Sequence, residues 1–182
     1  MNVDSVNTPK HEILYLFEEY IINGKDDKKS IRGFSKYLGK TSSYIYRLFK
    51  NSEELYHELY VLKIDNFDKN LKIVSYSALN EIILFTIKLI EYFYVDKEVY
   101  YAIPRNIQYA HLRKYIYEKY YMMILKIKDE GKIKIKADEE TITELLSYLF
   151  IGFITLNTSL PKDDAIKKIK KTIMNFITTY FK

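Results

Sequence analysis

The sequence predicts an all-α protein, and three observations carry that prediction. Apolar residues recur three and four positions apart through most of the chain. Glycine and proline are rare, five and three among 182 residues, and they fall between the periodic segments. Ser, Thr, Asn or Asp stands where most of those segments begin, as helix caps require. With 48% hydrophobic residues there is enough apolar surface to bury a core, which excludes general disorder.

About nine helices follow from these signals. Thr8-Pro9 joins a cap to a proline at the first helical position, and Ile13, Leu16, Phe17, Tyr20 and Ile21 repeat behind it until Gly24. Ser30 to Leu38 forms a short helix with Ile31, Phe34, Tyr37 and Leu38 on one face, stopped by Gly39. Thr41 caps another short helix carrying Ile45 and Phe49. Asn51 or Ser52 caps the next, where Glu53 and Glu54 suit the positive end of the helix dipole, and Leu55, Leu59, Leu62 and Phe67 continue it. After a break at Ser75 to Ser77, the segment Ala78 to Tyr94 is apolar on most sides. Pro104 separates a short helical turn from a long helix over Arg105 to Asp129, closed by Gly131. The acidic start Asp138-Glu139-Glu140 opens a helix to about Ser159, and Asp163 to Phe181 forms the last one after Pro161.

Composition removes several classes of function. Without cysteine there is no disulfide scaffold, zinc finger, iron-sulfur cluster or thiol chemistry. His11, His57 and His111 are far apart, and none has the spacing of a metal-binding pair. The acidic pairs Asp26-Asp27, Glu53-Glu54 and Asp163-Asp164 sit at helix starts or in loops, where dipole and solvent account for them. No catalytic constellation, metal or cofactor is therefore expected. MNVDSVNTPKHE lacks the pattern of a secretory signal, and the longest apolar runs, such as LLSYLFIGF (145–153), fall short of the ~20 residues that cross a bilayer. A soluble, cytoplasmic protein is the expectation.

The net charge of +5 is modest, but its distribution is uneven. Lys28, Lys29, Arg32, Lys36, Lys40, Arg47 and Lys50 fall between residues 28 and 52, with no Asp or Glu among them. Two short amphipathic helices joined at Gly39-Lys40-Thr41, with one face apolar and the other basic, have the layout of a helix-turn-helix, whose second helix enters the major groove. The plainer alternative is a basic, solvated helix pair.

The order SIRGFSKYLGKTSSYIYRLFKNSEELYHEL resembles the N-terminal DNA-binding region of the tetracycline-repressor (TetR) family, with Gly39, Thr41, Ile45, Tyr46, Phe49, Glu54 and Leu55 in register. That motif covers about a third of the chain. The remainder is similar in helix number, in length and in the phrase DEGKIKIKADEETITELLSYLFIGF. The resemblance implies an N-terminal three-helix DNA-binding domain over 1–52, continuous with a helical effector-binding and dimerisation domain over 53–182. It also implies a ligand-responsive transcriptional repressor that binds a palindromic operator as a homodimer.

By the same resemblance Thr41, Ser42, Ser43 and Tyr44 reach base edges, Tyr46 and Lys50 contact phosphates, and Lys29, Ser30 and Arg32 contact the DNA backbone. Arg47 either reaches a phosphate or pairs with Glu18 or Glu19. The chain departs from the family wording at Leu16 and Phe17, where small alanines are usual, at Lys40 in the turn, and at Leu48. These departures leave room for a second reading, a helical interaction protein of the same fold that has lost effector sensing or DNA binding.

Near the C-terminus Leu145, Leu149, Gly152, Phe153 and Leu156 make one apolar stripe, and Ile166, Ile169, Ile173, Phe176, Ile177 and Tyr180 make another. Such stripes serve self-association or packing within one chain; the resemblance implies a four-helix dimer interface for all of them but Tyr180. Among the crowded aromatic residues of the middle helices, Phe85, Leu89, Phe93, Tyr101, Tyr109, Tyr117, Tyr121 and Phe150 are candidates to line a pocket for an apolar or cationic effector. The alternative for these residues is core packing.

Overall fold

A computed structural model describes residues 9–24, 29–157 and 159–182. Thr8, Asp26, Asp27 and Lys28 lie outside them. Among the described residues the protein is all-α, with nine helices: α1 Pro9–Asn23, α2 Ile31–Tyr37, α3 Ser42–Tyr46, α4 Ser52–Asn70, α5 Ala78–Val95, α6 Lys97–Ala102, α7 Arg105–Glu130, α8 Glu139–Leu156 and α9 Lys162–Tyr180. A single antiparallel backbone bridge joins Ile135 to Phe181.

The chain divides into two compact units. One comprises Met1–Lys69 with Asp96–Gln108, the other Asn70–Val95 with Tyr109–Lys182. α4 falls within the first unit and completes its core. Leu55 and Leu59 are fully buried, and the Tyr56 ring meets Phe17 edge-on at 5.1 Å.

Phe17 is the centre of that core. Its ring also lies 4.9 Å from Phe34 of α2, and Tyr20 packs on Phe34 at 5.5 Å. The large side chain at position 17 thus fills the space between α1, α2 and α4. Tyr37, expected on the buried face, is 46% exposed and covers only the edge of Tyr20, 5.4 Å away. Tyr56 Oη donates to the Lys29 carbonyl at 2.6 Å, tying α4 to the residue that precedes the α2 cap.

A charged cluster joins α1, α4 and the residue that opens α6. Lys63 Nζ lies 2.6 Å from Glu18 and 2.8 Å from Asp96, and all three side chains are largely buried. Burial by itself would push the Lys63 pKa down, but hydrogen bonds to Asp96 and Glu18 outweigh it and hold the ammonium above its ordinary value.

In the second unit α5 packs along α9. Tyr120 is fully buried, its hydroxyl 2.7 Å from Thr86 Oγ1 and its ring edge-on to Phe85 at 5.4 Å. Burial pushes the Tyr120 hydroxyl pKa well up. The helix expected to reach Ser159 ends at Leu156, where Asn157 turns its side-chain amide back to the Phe153 carbonyl at 2.8 Å. Residues 133–136 pair with the chain end: Lys134 and Lys182 exchange backbone hydrogen bonds of 2.6 and 2.9 Å.

The Lys63 cluster yields a test. Lys63→Met leaves two carboxylates facing each other and should lower stability by about 1–2 kcal/mol at neutral pH, less than for a fully buried pair. A pKa raised in the folded state means stability present below the unfolded value of about 10.4 and lost as pH rises through the folded value. Thermal unfolding of the two proteins should therefore converge above pH ~10.4; a gap that stays constant there contradicts the assignment.

Candidate nucleic-acid interface

The α2–α3 connection is built from the backbone upward. Ser30 caps α2, its hydroxyl accepting the Gly33 N–H at 3.1 Å. At the other end Gly39 adopts φ +63°, its N–H donates to the Lys36 carbonyl at 3.1 Å, and the Lys40 N–H donates to the Ser35 carbonyl at 2.9 Å. This pair of bonds is a Schellman closure, and the left-handed residue at its centre favours glycine. Thr41 then takes the extended cap conformation of α3 without using its hydroxyl as a cap, which leaves that group available outward.

α3 is only five residues long. Phe49, expected within the helix, lies beyond its end in a tightened turn, with the Phe49 and Leu48 N–H groups both donating to the Ile45 carbonyl at 2.9 Å. Ile45 and Phe49 are nevertheless fully buried and anchor the segment. Asn51 rather than Ser52 caps α4: its Oδ1 accepts the Glu54 N–H at 2.8 Å, and the Glu54 carboxylate accepts the backbone N–H of Lys50. That second bond holds the Glu54 pKa below its usual value. The two bonds form a variant of the capping box and pin both ends of the 50–54 turn.

The predicted contact residues separate once they are placed. Arg32, Thr41, Ser43, Tyr46 and Lys50 are exposed, and Ser42 and Tyr44 are half-buried. Lys29 Nζ donates to the Gly24 carbonyl at 2.6 Å and lies 5.4 Å from the Tyr20 ring. Arg47 forms no pair with Glu18, which is bound to Lys63; its guanidinium lies 5.6 Å from the Tyr44 ring centre. Lys40 Nζ lies 5.9 Å from the same ring. Cation–π contacts at exposed sites contribute about 0.5–1 kcal/mol each. Sequence reading gave Lys40 no role and left Arg47 between a phosphate and an acid, although their spacing of four before and three after Tyr44 was the available signal.

Charge is segregated within this unit. Lys10 bridges Glu58 at 2.8 Å and Glu54 at 3.5 Å, and Lys63 takes Glu18 and Asp96. Among the described residues Arg32, Lys36, Lys40, Arg47 and Lys50 form no ion pair and are all exposed. A surface of unneutralised cations and hydroxyls on two short helices is chemically suited to a polyanion.

The other two predicted sets are divided by the structure. Of the effector candidates, Phe85, Leu89 and Phe150 are fully buried and Phe93 nearly so, with Phe93 and Phe150 rings 6.1 Å apart. Tyr117 and Tyr121 stack on each other at 5.9 Å on half-buried α7, and Tyr109 Oη lies 3.3 Å from Thr155. Tyr101 is 48% exposed and belongs to the first compact unit, apart from the rest of the set. Of the interface candidates, Phe153 of α8 is buried within its own chain, as are Ile169, Ile173 and Ile177 of α9, which packs along α5. Leu145, Leu149, Gly152 and Leu156 instead share an accessible face of α8, Leu156 being 82% exposed. A Cβ built on Gly152 would meet nothing within 4 Å. Ile166 and Phe176 are half-buried on α9.

Among the described residues no group of three or more His, Asp or Glu side chains is placed to hold a metal ion, and no helix is long and apolar enough to cross a membrane. No protein-family model matches the chain, and no curated protein matches it. Among solved structures, the chain is similar to a candidate transcriptional regulator from Streptomyces coelicolor A3(2), with 15% identity and a TM-score of 0.49 over 94% of this chain and 98% of the other.

The turn geometry gives a prediction independent of function. Gly39→Ala keeps open space around the new methyl but forces an L-residue to φ +63°, at a cost of about 1–2 kcal/mol. The melting temperature should fall by about 2–8 °C; an unchanged value would mean that the turn relaxes without strain.

Proposed function

We propose that the chain is a homodimeric DNA-binding transcriptional regulator resembling the TetR family, a repressor released from its operator by a small ligand. One observation carries this reading. The Gly39 closure holds α2 and α3 in the layout of a helix-turn-helix with Arg32, Lys36, Lys40, Arg47 and Lys50 exposed, while Glu18, Glu54 and Glu58 are paired with Lys63 and Lys10. Phosphate contacts from these cations would supply affinity and orientation, and the hydroxyls of Thr41, Ser42 and Ser43 would read base edges as donors or acceptors.

The accessible α8 face supports the dimer. Leu145, Leu149 and Leu156 offer apolar surface, and Gly152 permits a close helix approach by a second copy. A two-fold dimer would present its recognition helices about 34–36 Å apart, one DNA turn, and would select a palindromic operator. For release, Tyr109, Tyr117 and Tyr121 supply aromatic edges suited to an apolar or cationic ligand. Phe85, Leu89, Phe93 and Phe150 would have to part to admit one. A ligand acts on the operator only through different affinities for the bound and released geometries.

Titration of the full chain against duplex DNA from upstream of its own gene should give salt-sensitive, sequence-selective binding; absence of both rejects the proposal. Lys50→Ala should weaken binding to every duplex similarly and lower the salt slope by about one, whereas Ser43→Ala should reorder operator variants. Equal effects of the two on every operator variant would contradict that division. Gly152→Leu should keep the parent's helix content by circular dichroism, since leucine is the better helix former, yet sediment as a monomer with most operator affinity lost. A Gly152→Leu dimer of full affinity would remove the α8 face from the interface.

A further inference from the structure

We infer that Tyr44 is a positioning residue whose ring gathers Lys40 and Arg47 into one cationic cluster for duplex phosphates, instead of a base reader acting through its hydroxyl. The inference rests on the DNA-binding reading and departs from the role that family resemblance gives to position 44.

Lys40 belongs to the α2–α3 turn and Arg47 follows the last residue of α3, so their side chains start from opposite ends of the segment. Both converge on one aromatic ring, at 5.9 and 5.6 Å. Two like charges repel unless something compensates them. The negative face of the Tyr44 ring does so here, since among the described residues neither cation has a carboxylate partner. Of Glu18 and Glu19, the two acids that sequence offered to Arg47, Glu18 is held 2.6 Å from Lys63.

The arrangement has two consequences for a polyanion. Long side chains already resting on a ring lose less rotamer freedom when they meet a phosphate. The guanidinium keeps its planar donor fork, which matches phosphate oxygens in a bidentate way. The lysine by which the turn departs from the family wording thereby adds a cation beside α3, and Tyr44 determines where that cation and Arg47 are held.

The test uses the full chain, an operator duplex and a scrambled duplex, with binding measured across a series of potassium chloride concentrations. Tyr44→Phe keeps the ring and should preserve affinity, salt slope and operator preference. Tyr44→Leu removes no charge, yet should weaken both duplexes by the same factor, about 3- to 10-fold, and lower the log–log salt slope by about one to two. Lys40→Gln and Arg47→Gln, both at exposed positions, should each lower the slope by about one in the parent and by clearly less in the Tyr44→Leu background. Tyr44→Phe reordering the operator variants, or Tyr44→Leu leaving the slope intact, overturns the inference. Should Tyr44→Leu fail to fold, the two glutamine variants in the parent decide, and an unchanged slope in either overturns it. Parent protein with no salt-sensitive binding would instead reject the underlying DNA-binding reading.

Discussion

The burial of Phe17 is the constraint on which the first compact unit depends. Its ring touches Phe34 of α2 and Tyr56 of α4, so one side chain of α1 sets the spacing of two other helices. α3 is too short to be stable by itself, since isolated helices below about 12 residues are marginal in water. It persists because Ile45 and Phe49 are fully buried and because capped turns bracket it, Gly39 before and Asn51 with Glu54 after. The outward face of α3 is therefore positioned by apolar contacts on its inward face.

Electrostatics completes that arrangement. Glu18, Glu54, Glu58 and Asp96 all belong to the unit that carries the basic stretch, and each has a lysine outside that stretch as its partner. Pairing within α1, α4 and the start of α6 leaves the cations of α2 and α3 unneutralised. The modest net charge of +5 thus conceals a locally basic segment, with Arg32, Lys36, Lys40, Arg47 and Lys50 exposed and without ion pairs among the described residues. The same separation makes Arg47 available to the Tyr44 ring.

The helical order was legible because its signals are local. Gly39, Gly131 and Pro104 mark boundaries through the backbone conformations they favour or forbid, and the structure places boundaries there. Asn157 sends no comparable signal, so the sequence places the end of α8 three residues late, at Ser159 instead of Leu156. The bridge between Ile135 and Phe181 joins residues remote in sequence and had no local signature.

For the candidate site, composition and periodicity determined the basic helix pair, its glycine turn and its two buried anchors, because each depends on neighbours within four residues. Tertiary packing alone decided which of the basic residues remain available. Lys29 is drawn to the Gly24 carbonyl and the Tyr20 ring, while Arg47 keeps clear of Glu18 because Lys63 holds that acid from 45 residues away. Packing likewise divided the C-terminal apolar stripes, placing Ile169, Ile173 and Ile177 in the core and leaving Leu145, Gly152 and Leu156 accessible. Periodicity reports that a helix face is apolar, and only the position of the other helices reports what covers it.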